Sequence, residues 1–512
     1  MRFSFPAALF DYSQPATMSY ELVIYNGLIV TGADILPTAV YIGVNDGKIE
    51  AITTSKICGK REIDAQGGYV MPGGIDAHVH LDQDDFPTGD DFESGTRSSI
   101  AGGTTTIIAF AIQPKKEYDL VKVIEDYHAR ANKNGGTYCD YGFHLIISEP
   151  TQEMLERTLP EICQREAITS VKLYMTYPLY KLNDSQLLEV LLSNRKNGIT
   201  TMIHAENSDI IDFINKRLEQ KRLTEPFYHL VSRPQLAEDE ASYRAISLAK
   251  LIDTPILIVH MSCEAALDHV MKAQNDMFPI YAETCPQYLF LTGEDFHHNE
   301  GCNHAKDSFE GAKLICSPPL RSNQEDLEGV WKHLINGTVT IFSSDHAPSI
   351  YDHPQGKKKG LVNGIPHYID VPNGLPGVET RLPLLFCHGV ETGRISPQRF
   401  VEVTSTNPAK LYGLGDRKGS ISVGFDADIT IWYPVGGMEK FRLKNEMLNH
   451  NCDHTPYEGM EFTNWPRYTI LRGEVCYDRD NGGVVGGMIG SYLRRKGSSL
   501  SGSMKSLNPI FE

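Results

Sequence analysis

Hydrophobic positions along this chain fall into two rhythms. From 21 to 71 the apolar residues come in short β-branched runs, ELVIYNGLIV, AVYIGVNDGKIEAI and KREIDAQGGYVMP, broken at NG and DG pairs that favour hairpin turns. This stretch predicts a small antiparallel sheet. The same texture returns in SISVGFDADITIWYP (420–434) and RYTILRGEVCYD (467–478), so the two ends are expected to pair into one β-sandwich. Between them lie eight apolar runs: GGIDAHV, TTTIIAFA, YGFHLIIS, SVKLYM, TTMIHAE, ILIVHMS, IYAETC and VTIFSSD. Each precedes a polar, helix-compatible stretch, and eight such alternations predict a (β/α)8 TIM-like barrel with loop insertions. The expected division is an N-terminal extension (1–20), sandwich (21–71), barrel (72–415), second sandwich part (416–484) and a Gly/Ser-rich tail (485–512). A tail of that composition builds no core of its own, so it predicts either disorder or an arm laid on a neighbouring subunit.

Composition narrows the class. Across 512 residues, 41% hydrophobic content supplies a large core, and a net charge of −17 argues against nucleic acid or an anionic membrane as partner. Ten cysteines stand singly with no CxxC pair, which predicts reduced thiols rather than disulfides or a cysteine zinc site. The first twenty residues hold one Arg and one Asp around the short apolar FPAALF, too little for a secretory or mitochondrial signal, so a cytoplasmic location is expected, with Met18 as an alternative start.

The chemistry sits at the ends of the barrel runs. Run one ends in Asp76-Ala77-His78-Val79-His80, and Lys172, His204, His260 and Asp345 close or follow runs four, five, six and eight. Two imidazoles at i and i+2 on a strand project from one face and can grip one ion. A helix would splay them. Imidazoles with a carboxylate leave a divalent metal an open position, and two such ions activate water for attack on a carbonyl. Lysine is the odd member, because a buried ammonium is repelled by cations. A lone strand-end histidine is usually structural, and His144, His229 and His346 are read that way. The other six are distinguished by occurring together, each at a strand end where barrel active sites lie.

These residues, with PGGIDAHVH, SVKLYMTY, HAEN, VHMS, SSDHAP, VPNGLPGVETRLPLLF and TSTNPAKLYGL, resemble the dihydropyrimidinase and hydantoinase group of the amidohydrolase superfamily over roughly 20 to 480. The resemblance implies two zinc ions per subunit: His78, His80 and Asp345 on one, His204 and His260 on the other, bridged by Lys172 as N6-carboxylysine and by a hydroxide. It makes Asp345 the proton carrier and Tyr177 the donor to the developing oxyanion. Main-chain groups at Ser317 and Asn373 would bind the cyclic amide edge. It implies ring opening of 5,6-dihydrouracil or dihydrothymine, with hydantoin or allantoin as alternatives, and a homotetramer with C-terminal exchange. Dihydroorotases, which take a carboxylated ring, carry Arg two residues after the HxH pair; here Asp82 stands there, favouring a neutral ring. The collapsin response mediator proteins share the sequence pattern without catalysis, but they have lost metal ligands that this chain retains.

Three segments lie outside that pattern. The histidine-containing 296–313 is read as a solvated insertion, 82–95 as either an acidic loop or a lid offering Phe86 and Phe92 to a substrate ring, and the KKK of 352–367 as a solvated face.

Overall fold

The computed structural model describes residues 19–84, 89–297, 309–500, 502–503 and 506–511. Eight parallel strands follow one another in chain order: β1 (Gly74–Val79), β2 (Thr104–Ile112), β3 (Asp140–Ile146), β4 (Ser170–Tyr174), β5 (Thr200–His204), β6 (Ile256–Ile258), β7 (Ile280–Thr284) and β8 (Val339–Phe342). The ring closes beyond β8, where His80 N–H donates to His346 O (2.7 Å) and His346 N–H to His78 O (3.3 Å). Each run predicted from the sequence is one of these strands. They read as nearly continuous apolar stretches because helices cover them outside and side chains fill them inside. Ala77, Ile108, Phe110, Ile146, Met202, Leu257 and Ile341 pack that interior, with Leu411 and Tyr412 in the same cluster.

The surrounding helices start where the sequence supplies caps. Asn183 accepts from Gln186 N–H at the head of Asp184–Asn197, and Asn323 from Asp326 N–H at the head of Gln324–Asn336; the N3 side chain answers in each case. Gly198 and Gly337 then end these helices in left-handed conformation.

The two chain ends meet in the second layer. Tyr69–Pro72 pairs antiparallel with Ile429–Trp432, placing Met71 beside Thr430, and Leu22, Ile24, Ile42, Val70, Ile429 and Ile470 share one core. The sheet expected to be antiparallel is mixed: Ser19–Tyr25 pairs parallel with Cys58–Asp64, because the chain crosses the Tyr41–Asn45/Lys48–Thr53 hairpin to reach the opposite edge. Sandwich and barrel are locked by a buried ion cluster. Lys418 reaches Asp140 at the start of β3 (2.8 Å) as well as Asp428, and Arg472 pairs with Asp140. Such a cluster gives register more than net stability, since desolvation offsets much of the attraction.

Three expectations are corrected. Residues 489–500 lie on their own barrel: Tyr141 N–H donates to Ser491 O (3.0 Å), Leu493 N–H to Tyr141 O (2.7 Å), and buried Arg495 donates to Ser170 Oγ (2.9 Å) and to Phe143 O. One buried guanidinium with carbonyl and hydroxyl acceptors anchors a segment whose Gly and Ser content signalled disorder. Phe92 opens the helix Phe92–Ala101 and is buried against Phe143 and Tyr141, so it has no face for substrate; Phe86 lies outside the described residues. Lys357, the first of the KKK run, is fully buried, while Lys358 and Lys359 keep to the rim. Of the 296–313 insertion, 298–308 are likewise outside the described residues, and Glu310–Leu314 forms a short helical turn. Among the described residues no helix is long and apolar enough to cross a membrane.

Candidate active site

At the C-terminal mouth of the barrel, His78, His80, Tyr177, His204, His260, Ser317, Asp345 and Asn373 line one cavity of about 260 Å³. Lys172 lies beneath it, fully buried between the faces of Phe110 and Tyr174, each 5.1 Å from its Nζ. Strand geometry delivers these groups. His78 and His80 alternate on one face at the end of β1, Lys172 points inward from β4, His204 ends β5, and His260 and Asp345 follow β6 and β8. Tyr177, His260 and Asp345 have φ of 65°, 40° and 51°. Left-handed backbone is uncommon at non-glycine residues, and at these three positions it turns the chain where it leaves a strand and aims the side chain at the cavity.

The donors point at one another. His78 gives its Nδ1 proton to Glu283 Oε1 (2.6 Å), which turns its Nε2 lone pair toward Asp345 Oδ1 at 3.1 Å; His80 Nε2 stands 3.5 Å from the same oxygen. Two donors at about 2.0–2.1 Å from a tetrahedral ion stand roughly 3.3 Å apart, so this spacing fits a shared cation. His260 Nδ1 is buried without a hydrogen-bond partner, and its ring lies 4.5 Å from that of His204. His204 Nε2 is held by Glu206 Oε2 (2.7 Å), leaving Nδ1 as its free donor atom. Lys172 Nζ is 3.5 Å from His78 Nε2. The residues present therefore fit metal, and one ligand atom each of His78, His80 and Asp345 all lie within 4.8 Å of one another.

Electrostatics agree with that use. Burial pushes the Asp345 carboxyl up, but His78, His80 and His260 overcome it and hold it well below the carboxylate range, so it is ionised. Burial takes His80 down to about 4 and His260 well below its ordinary value, keeping both neutral as ligands must be. Burial also lowers His78, yet Glu283 reverses the sign and leaves it raised, a more basic imidazole. Tyr177 is driven by burial up to about 12, so its hydroxyl keeps its proton and can donate.

A supporting shell was not anticipated from the sequence. Glu283 on β7 also accepts from His260 N–H (3.0 Å), fixing two ligands with one carboxylate. Glu206, held down to about 2 despite burial by Arg233 and His204, ties His204 to Arg233, whose guanidinium lies 5.4 Å over the Tyr177 ring. Glu283 had a signal: a carboxylate near the end of an apolar run, in IYAETC. His144 is bound to Ser170 Oγ and Ala77 O, and His346 to Asp90 and the Gly377 amide. His229 donates to Cys316 O (2.8 Å) and supports the Ser317 segment. Asp82, expected to set the charge facing the ring, does not line the cavity; Gln83 does, its amide 2.9 Å from His80 Nδ1.

Residues 69–476 match the amidohydrolase family model, which spans the barrel and both faces of this site. The chain belongs to the amidohydrolase family. It is 40% identical to a D-hydantoinase of Geobacillus stearothermophilus over 92% of this chain and 96% of that one, and 37% identical to a D-hydantoinase of Ralstonia pickettii over 93% and 99%. The crystal structure of a dihydropyrimidinase from Brevibacillus agri superposes with a TM-score of 0.84 at 35% identity, covering 93% and 99%. Likeness over that length makes this amidohydrolase a cyclic amide hydrolase of the hydantoinase and dihydropyrimidinase type.

Proposed function

We propose that this amidohydrolase opens 5,6-dihydrouracil and dihydrothymine to N-carbamoyl-β-alanine and N-carbamoyl-β-aminoisobutyrate, using two zinc ions bridged by carboxylated Lys172. The observation that carries the reading is the convergence of His78, His80 and Asp345 on one point, with Tyr177, Ser317 and Asn373 across the same cavity. Two bound ions would supply an activated water and polarise the ring carbonyl. Burial takes the Lys172 amine down to about 8, within reach of the neutral form that adds to carbon dioxide, and the added carboxylate would remove the cationic charge that disqualifies lysine as a ligand.

The residues then divide the work. Asp345, ionised and against two imidazoles, takes a proton from the attacking water and returns it to the ring nitrogen as the C–N bond breaks. Tyr177 donates to the carbonyl oxygen as it gains charge, and Asn373 Nδ2 donates to the Tyr177 hydroxyl at 3.4 Å. Main-chain groups at Ser317 and Asn373 bind the amide edge. Tyr177→Phe is expected to lower kcat about 10²–10³-fold, as for loss of one oxyanion donor, with metal per chain unchanged. A fall in metal content would make Tyr177 a support of the site instead.

Hydantoin is the second reading, favoured by the D-hydantoinase names of relatives at 37–40% identity. The deciding experiment purifies the protein without chelator, counts metal per chain, and follows ring-amide absorbance of dihydrouracil, hydantoin and dihydroorotate side by side. Two zinc ions with dihydrouracil preferred is the expected result; hydantoin preferred transfers the assignment, and no metal with no turnover rejects both. We place the enzyme in the cytoplasm as a homotetramer. Leu236, Tyr243 and Leu251 are exposed along one side of the helix Gln235–Ile252, an apolar stripe suited to burial against another copy.

A further inference from the structure

The fully buried Lys357 has no part in the chemistry above, yet it touches both segments that frame the substrate edge. Its Nζ donates to Ile315 O (3.0 Å), Pro372 O (2.8 Å) and Gly374 O (2.8 Å). Ile315 is two residues before Ser317, and Pro372 and Gly374 flank Asn373. An ammonium has three N–H donors and no acceptor, so these carbonyls use it completely. Ile315 O also accepts from Gly374 N–H (3.0 Å), joining the two segments directly. Gly374 holds φ at 133°, and a Cβ there would lie 2.5 Å from Ala347 Cβ, so the segment is pressed against the loop after Asp345. Burial draws the ammonium down to about 7, while the Cys316 and Cys452 thiols act the other way. Keeping a cation here costs desolvation, and three converging carbonyl dipoles are what offsets it.

We propose that Lys357 is a positioning residue that clamps the Ile315–Ser317 and Pro372–Gly374 backbones together, setting the spacing between the main-chain groups that grip the cyclic amide. This rests on the substrate-edge role given above to Ser317 and Asn373. Backbone contacts to the amide edge act on bound substrate and transition state alike, so their misplacement raises KM and leaves kcat largely intact.

The test compares Lys357→Met, of similar length without donors, with Lys357→Arg, which keeps a cation with several donors. Lys357→Met is expected to raise KM for the preferred ring about tenfold, the effect of one to two backbone hydrogen bonds, with kcat and metal per chain near the parent's. Lys357→Arg should recover most of that loss. Amide hydrogen exchange supplies a readout independent of substrate: in Lys357→Met it should quicken at 315–317 and 373–375 and stay unchanged in β5. Unchanged KM with unchanged exchange at both segments overturns the proposal, as does exchange that quickens equally throughout the barrel. If the parent opens no cyclic amide, the ring-opening reading fails by itself and the exchange pattern alone decides the clamp. Should Lys357→Met not accumulate as folded protein, Lys357→Gln takes its place in both measurements.

Discussion

Lys172→Ala is expected to lose more than about a hundredfold in ring-opening activity and to hold clearly less metal per chain, since removing even a supporting partner of a metal ligand costs 10–100-fold. Lys172 is enclosed between two aromatic faces, 3.5 Å from His78 Nε2, and burial opposes its charge. A cationic lysine here would repel the ions that the histidines are arranged to hold, so the position makes sense for a neutral amine that has added carbon dioxide. Intact-mass measurement under native conditions should show the parent heavier than its sequence by one carbon dioxide and Lys172→Ala without that increment. Full metal content and normal turnover in the variant would remove the bridging role. A stable, metal-replete but inactive variant would leave Lys172 a role in turnover but none in holding metal.

The barrel was legible because its strands are buried on both faces and so read as apolar runs, and because barrel geometry puts chemistry at their ends. His78 and His80 declared themselves by spacing; Lys172, His204, His260 and Asp345 declared themselves only as a set. What stayed hidden was what depends on tertiary partners. Glu283 orients two ligands at once, but its one trace in the sequence is a lone carboxylate near the end of an apolar run, without the spacing that singled out His78 and His80. The left-handed backbone at Tyr177, His260 and Asp345 has no glycine to mark it in the sequence.

Composition misled where one side chain decided the outcome. Three consecutive lysines read as a solvated face, yet the first finds three carbonyls inside the protein. A Gly- and Ser-rich tail reads as disorder, yet Arg495 finds acceptors on β3 and β4 and seats it. In both places a buried cation bonds carbonyl or hydroxyl oxygens rather than a carboxylate, and no charge pattern along the chain announces such a partner. Asp82 failed for a different reason. The chain turns at φ 47° there, and Gln83 is the neighbour that reaches the cavity.

Asp345→Asn separates proton transfer from metal binding at the same atom position. Asparagine is nearly isosteric and tolerates left-handed backbone, so the φ of 51° is kept without new strain. Its amide oxygen can still face His78 and His80, but the side chain can no longer accept a proton from water and pass it to the leaving nitrogen. Turnover is therefore expected to fall about 10²–10⁴-fold, the usual worth of a positioned acid–base group, at metal concentrations that saturate the site. The loss should be smaller for substrates whose leaving nitrogen is a weaker base, because they depend less on protonation as the C–N bond breaks. If activity returns to the parent level once metal is saturating, Asp345 serves only as a ligand and another group must move the proton. The side chain of that group would have to line the same cavity, where His78, His80, His204, His260, Tyr174, Tyr177 and Tyr180 are the other ionisable groups, and the variant of the true carrier would then show the larger loss.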